Sequence, residues 1–187
     1  MLYAGDVSGI VVLEDQKRRP EEVCAVRKKR RADQVEFRVF EMQYAGIDVE
    51  PSGIMCVPFD AGRFKEYKEI YNACFYEMRK DLDRKPYNYL ESMEQLGEKA
   101  EEIMLLIEND EIVGSVACYG NEVDDLIVNQ KFQRQGYGRR LLLYGMERIR
   151  SKSEEPITLH VTEWNRHAVQ MYREAGFEIT KIITIKD

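Results

Sequence analysis

A chain of 187 residues, 44% hydrophobic and 33% charged, is globular and suits one domain with a substantial core and a small appendage. Its net charge of −6 argues against general nucleic-acid binding through phosphate neutralisation and mildly favours a cationic small-molecule or peptide partner. Cys24, Cys56, Cys74 and Cys118 are scattered without zinc spacing, and neither a secretory leader nor a membrane span is expected, so reduced thiols in a cytoplasmic, non-membrane protein are the expectation.

In chain order, residues 1–50 alternate short β-like runs (Ile10 to Leu13, Val23 to Val26, Val35 to Met42) with charged connections, and read as an accessory β extension. The basic run Arg27 to Arg31 reads as a solvated hairpin end rather than an RNA-binding patch. A domain over 51–187 follows. Ile54 to Phe59 is a short apolar strand. Phe64, Tyr67, Ile70, Tyr71, Cys74, Phe75, Met78 and Leu82 then recur at three- and four-residue steps, the stripe of an amphipathic helix. Beyond Pro86, Leu90, Met93, Leu96 and Ala100 predict a second helix, weakened at Gly97.

Three strands are predicted next as an antiparallel meander: Ile103 to Glu108, Ile112 to Tyr119 and Val123 to Val128, separated by Asn109-Asp110 and Gly120-Asn121 turns. Gly138 to Ser151 is a helix with Gly138, Leu141, Leu142, Gly145 and Ile149 inward. Ile157 to Thr162 is a strand, Asn165 stands at an N-cap position, Ala168, Met171, Tyr172 and Ala175 make a helical stripe, Gly176 is a C-cap signal, and Phe177 to Ile185 is the last strand. The class is α/β (α+β): a mixed, splayed sheet flanked by helices, with an N-terminal β extension.

Gln133-Arg134-Gln135-Gly136-Tyr137-Gly138-Arg139-Arg140 lies between a strand and a helix start, where an anion-binding loop is useful. Gly136 and Gly138 remove the Cβ atoms that would hold a phosphate off the backbone, the helix N-terminus carries about half a positive charge, and Arg134, Arg139 and Arg140 add donors. A dinucleotide fingerprint needs a further glycine where Leu141 stands, and a P-loop needs a Gly-Lys-Ser/Thr ending that is absent.

This arrangement resembles the GNAT superfamily of acetyl-coenzyme A-dependent N-acetyltransferases. Gln133, Gly136 and Gly138 match its Gln/Arg-x-x-Gly-x-Gly/Ala signature, Leu126-Ile127-Val128 its apolar strand end, and Asn165, Ala168, Tyr172, Gly176 and Phe177 its second segment. The resemblance covers roughly Ile54 to Ile185 and implies acetyl-coenzyme A as co-substrate. It implies that the loop, residues 126–128 and Asn165 contact the coenzyme, that an N–H of Leu126 or Ile127 polarises the thioester carbonyl, and that the Tyr172 hydroxyl protonates the leaving sulfur. Coenzyme A is expected in the cleft between the third meander strand and Ile157 to Thr162.

Attack by a neutral amine needs a proton acceptor. Strict alternation puts Glu122, Asp124 and Leu126 on one face and Val123, Asp125 and Ile127 on the other. Glu122 matches a position where several members of the family carry a base, Asp124 is the neighbouring choice, and either would act directly or through water. His160 and His167 lack carboxylates at ligand spacing, and no metal site is expected; His160 is expected to be partly buried on its strand. Tyr87 and Tyr89 are as well suited to surface packing as to lining an acceptor pocket. The acceptor amine and the oligomeric state, a homodimer included, stay open. The alternative reading is a non-catalytic acyl-coenzyme A-binding module that serves regulation or interaction.

Overall fold

The computed structural model describes residues 13–14 and 36–186. The expected strand Val23 to Val26, most of Ile10 to Leu13 and the basic run at 27–31 lie outside the described residues. Eight strands form one sheet: β1 (Leu13–Glu14), β2 (Glu36–Tyr44), β3 (Val57–Pro58), β4 (Ile103–Glu108), β5 (Glu111–Tyr119), β6 (Glu122–Val128), β7 (Ile157–Thr162) and β8 (Glu178–Lys186). Three α-helices accompany them: α1 (Phe64–Asp81), α2 (Tyr137–Arg150) and α3 (Arg166–Glu174). Among the described residues no helix is long and apolar enough to cross a membrane.

The strand order is β1-β8-β2-β7-β6-β5-β4-β3, antiparallel throughout except for the parallel β6/β7 pair. The sequence reading places the run ending at Met42 in the accessory extension. In the structure β2 lies between β7 and β8, hydrogen-bonded to both, with Met42 fully buried. Strands β7 and β8 are therefore not neighbours, and the link through α3 crosses over β2. Alternation along β2 does not reveal this placement, because a half-buried accessory strand and a central strand carry the same period.

The β4–β5–β6 meander forms where expected. Its apolar content is continuous because the sheet is covered on both faces. On one face α2 and α3 bury Leu141, Leu142, Met146, Ile149, Leu159, Val161 and Phe177 in one cluster. Gly145 lets α2 come close, since a Cβ there would meet Val116 Cγ2 at 3.0 Å. On the other face α1 packs through Tyr67, Ile70 and Tyr71, and at its C-terminal end Met78 meets Phe37, Val39 and Ile185.

The expected strand from Ile54 to Phe59 shrinks to Val57–Pro58 against β4, with Phe59 N still donating to Ile103 O at 2.9 Å. The second amphipathic helix is replaced by two 3₁₀ segments, Met93–Gln95 and Gly97–Glu102. Gly97 takes φ +51°, which stops a continuous helix. Side chains hold this segment instead: Asn72 exchanges hydrogen bonds with the backbone of Leu90 at 2.8 and 2.9 Å, and Gln95 Oε1 accepts from Glu91 N and Ser92 N. Leu90 and Leu96 are still buried, so the apolar pattern located the buried face and missed the backbone form.

Candidate active site

Strands β6 and β7 share a single register pair, Glu122 with Thr158, closed by Thr158 N donating to Asn121 O at 2.9 Å. Beyond it the two parallel strands part. The fork holds a cleft lined by Asp124, Asp125 and Leu126 from β6, His160, Val161 and Thr162 from β7, Phe75 and Met78 from α1, and Asn165 and Tyr172 at α3. Through the gap the cleft reaches both faces of the sheet.

On β6, Ser115 pairs with Ile127 and Ala117 with Asp124, so two residues, Asp125 and Leu126, oppose the single Val116. This is a β-bulge, and Asp125 bears it with φ +43°. Such a conformation costs a non-glycine residue about 1–2 kcal/mol. The bulge overturns the strict alternation read from the sequence. Val123 packs with Leu126 and Val128 in the α2/α3 cluster, and Ile127 packs in the α1 cluster. Asp124 and Asp125 are both buried, at 4% and 3% exposure, and the Tyr71 hydroxyl of α1 donates to Asp125 Oδ1 at 3.4 Å. Burial and the neighbouring Asp125 push the Asp124 carboxyl up from 3.8 to about 8.

Tyr172 is buried across the fork. Burial, with the Asp124 charge as the smaller cause, holds its phenol above the usual range, so the hydroxyl stays protonated and can donate. Asn165 caps α3, its side chain accepting from Ala168 N at 3.2 Å.

Glu122 sits below the fork and does not line the cleft. Its Oε1 lies 2.7 Å from His160 Nδ1, and His160 Nε2 is 3.7 Å from Glu41 Oε2 on β2, where Glu41 and His160 are register partners. The Glu122 hydrogen bond, joined by the charges of Glu41 and Asp124, raises the His160 pKa against the opposing effect of burial. This grouping escaped the sequence reading. Residues 41, 122 and 160 meet only through the β2/β7 and β6/β7 pairings, and no spacing along the chain announces them.

Beyond the fork, Gln133 Nε2 donates to Val128 O at 3.0 Å and ties the loop to the end of β6. Gly136 precedes α2 with φ +85°, which a glycine adopts without strain. Gly138 lies under α3, where a Cβ would meet Met171 Sδ at 3.3 Å. Among the described residues, the N–H groups of Arg134, Gln135 and Gly136 donate to no backbone carbonyl, and those of Tyr137, Gly138 and Arg139 open α2, where no intrahelical acceptor exists. Six successive N–H groups beyond the end of β6 thus have no backbone acceptor, a run suited to a phosphate. The side chains are more engaged than expected. Arg139 pairs with Glu50 at 2.7 Å, Arg134 Nη2 lies 3.1 Å from His167 Nε2, the Tyr137 hydroxyl donates to Glu108 at 2.8 Å, Gln135 Nε2 donates to Lys131 O at 3.3 Å, and the Arg140 guanidinium sits 5.7 Å from the Tyr137 ring centre.

The cysteines stand apart from this chemistry. Cys56 and Cys118 are buried free thiols pushed up to about 12, chiefly by burial, which leaves them unreactive. Tyr87 and Tyr89 do not line the cleft; Tyr87 donates to Asp83 at 2.9 Å and Tyr89 stacks under Arg79.

Residues 64–177 match the family model for the acetyltransferase (GNAT) family. Over 69 residues the chain is 39% identical to mycothiol acetyltransferase of Thermobifida fusca, a stretch amounting to 37% of this chain and 19% of that protein. The chain thus spans only about a fifth of that relative's length. Among solved structures, a GNAT-family acetyltransferase from Colwellia psychrerythraea superposes with TM-score 0.61 at 12% identity, over 83% of this chain and 57% of that one. The PaiA N-acetyltransferase of Thermoplasma acidophilum, solved in complex with coenzyme A, gives 0.55 at 13% identity over 72% of this chain and 98% of that one. At such identities the likeness to solved structures is one of fold.

Proposed function

The chain belongs to the acetyltransferase (GNAT) family, and from that premise we propose that it transfers the acetyl group of acetyl-coenzyme A directly to a primary amine of a small-molecule or peptide acceptor. The observation that carries this reading is the fork. Its cleft brings a buried tyrosine hydroxyl together with carboxylates, and the β6 strand that forms one side of it runs on into a loop whose backbone N–H groups donate to no backbone carbonyl, which are the parts that a thioester donor and an ammonium acceptor require.

The donor set fits the coenzyme. The N–H groups of residues 134–139 would hold the pyrophosphate, and the α2 N-terminus adds its partial positive charge there. The coenzyme itself supplies an activated acyl group on a thiol leaving group. On the parted edge of β6, an N–H of Leu126 or Ile127 would donate to the thioester oxygen as negative charge develops there. The new C–N bond forms at the carbonyl carbon and the C–S electron pair leaves with sulfur, which takes the Tyr172 hydroxyl proton. Tyr172 recovers a proton from the nitrogen through solvent. Asn165 fixes the start of α3 and with it the position of Tyr172. The acidic groups at the far side of the fork suit an acceptor that arrives as a cation.

The test is thiol release from acetyl-coenzyme A across polyamines, amino acids, aminoglycosides and peptide N-termini. Release with at least one amine, lost in Tyr172→Phe with coenzyme affinity retained, supports the reading. If no amine releases thiol while the coenzyme still raises the melting temperature, the chain is a binding module instead.

A further inference from the structure

We infer that His160, oriented by Glu122, is the group that takes the proton from the incoming ammonium, and that Glu122 acts through it rather than on the acceptor; this rests on the acetyl-transfer reading above.

The argument begins with which groups face the cleft. His160 lines it and Glu122 does not. Asp124 also lines it, but it is 4% exposed and sits against Asp125, so an acceptor reaches it poorly, and burial with the neighbouring Asp125 raises its pKa. His160 is the remaining titratable group on the acceptor side that is neither deeply buried nor a phenol; its side chain is 22% exposed.

Sheet geometry sets its orientation. Leu159 and Val161 point into the α2/α3 cluster, while Thr162 Oγ1 lies 3.4 Å from Met78 Sδ of α1. His160 therefore projects on the α1 face, opposite the side where the loop and α3 hold the coenzyme. A nucleophile held there approaches the thioester through the gap between β6 and β7, and its departing proton is released on the His160 side.

A carboxylate only accepts hydrogen bonds, so the 2.7 Å contact with Glu122 Oε1 places a proton on Nδ1. In the neutral ring Nε2 then carries the lone pair. Its nearest acidic neighbour, Glu41 Oε2, stands 3.7 Å away, beyond hydrogen-bond reach, so that lone pair is available. Once Nε2 is protonated, Glu122 from one side and Glu41 from the other stabilise the imidazolium, and Thr180 of β8 holds Glu41 through its Oγ1. The groups facing His160 are thus Glu122 and Asp124 on β6 and Glu41 on β2, with Met78 on α1 contributing no charge. The step balances simply: the ammonium N–H bond breaks, its proton goes to Nε2, the freed lone pair attacks, and Nε2 returns the proton to water.

The experiment compares wild type, His160→Gln, Glu122→Gln and Asp124→Asn. It uses the fastest amine of the thiol-release panel, from pH 5.5 to 9.5, with coenzyme affinity and melting temperature as controls for folding. His160→Gln is expected to lower kcat by about 100-fold or more and to abolish the acidic limb of log kcat/KM, with coenzyme affinity unchanged. Glu122→Gln is expected to shift that limb to lower pH with a smaller loss in kcat, and the double variant to be no worse than His160→Gln. Nitrogen-15 NMR of the free chain, with His167→Gln assigning the two histidines, should show neutral His160 protonated at Nδ1 and a lower titration midpoint in Glu122→Gln. An acidic limb retained in His160→Gln, or one lost only in Asp124→Asn, overturns the assignment while leaving acetyl transfer intact. Wild-type failure with every amine removes the acetyl-transfer reading itself.

Discussion

The two ends of the proposed site are built in different ways. The loop is local: six consecutive residues, 134–139, supply its donors, and the glycine at φ +85° and the start of α2 shape it. The end proposed to handle protons is assembled from three strands and two helices, with residues as far apart in sequence as Glu41, Tyr71, Asp124, His160 and Tyr172. A local cradle survives many changes elsewhere because its geometry needs only its own backbone. A composite end depends on strand register, and one slip along β2 or β7 would separate Glu41 from His160.

The sharpest way to separate the ends is Tyr172→Phe, which should lower kcat by about 100- to 1,000-fold while calorimetry finds coenzyme affinity within about 2-fold. Comparable losses in both would mean that the phenol serves binding. Gly136→Ala addresses the opposite end. A methyl group at that φ costs about 1–2 kcal/mol, and if the loop relaxes to avoid it the N–H groups lose their common aim. Coenzyme affinity should fall by about 10-fold with kcat at saturation preserved.

Asp124→Asn tests the composite end through stability. A carboxyl raised from 3.8 to about 8 in the folded chain binds a proton that the unfolded chain has released between those values. Folding stability from this group is complete below about pH 4, declines as pH rises and is gone above about 8. The amide variant should therefore show a flatter stability profile over that window. Above pH 8 it should gain at least about 1 kcal/mol, roughly 2–4 °C in melting temperature for a chain of this length. The smallest effect is expected for Arg139→Ala. This side chain already pairs with Glu50 at the surface, an interaction worth about 0–1 kcal/mol. Coenzyme affinity should change by less than about 3-fold, and a larger loss would show that Arg139 leaves Glu50 for the phosphate.

Legibility in sequence followed the same division. The glycine loop, the Asn165 cap, the meander and the α2 and α3 stripes are local patterns, and each could be read from spacing. The second early helix failed because Asn72, Gln95 and Gly97 compete with helical hydrogen bonding, which an apolar stripe does not reveal. The alternation along β6 failed at one residue: the bulge at Asp125 turns both aspartates inward and reverses the order beyond them, and a period of two has no term for an inserted residue.

What the sequence determined by itself is most of the elements and the glycine loop, since propensity, capping and glycine placement act over a few residues. Only the tertiary structure decided that β2 enters the middle of the sheet, that β6 and β7 part above Glu122, and that His160 falls between two glutamates. The reason is physical: strand pairing is set by the burial of whole faces across the sheet, so neighbours distant in the chain are fixed by the packing of the complete core and by no residue's own preference.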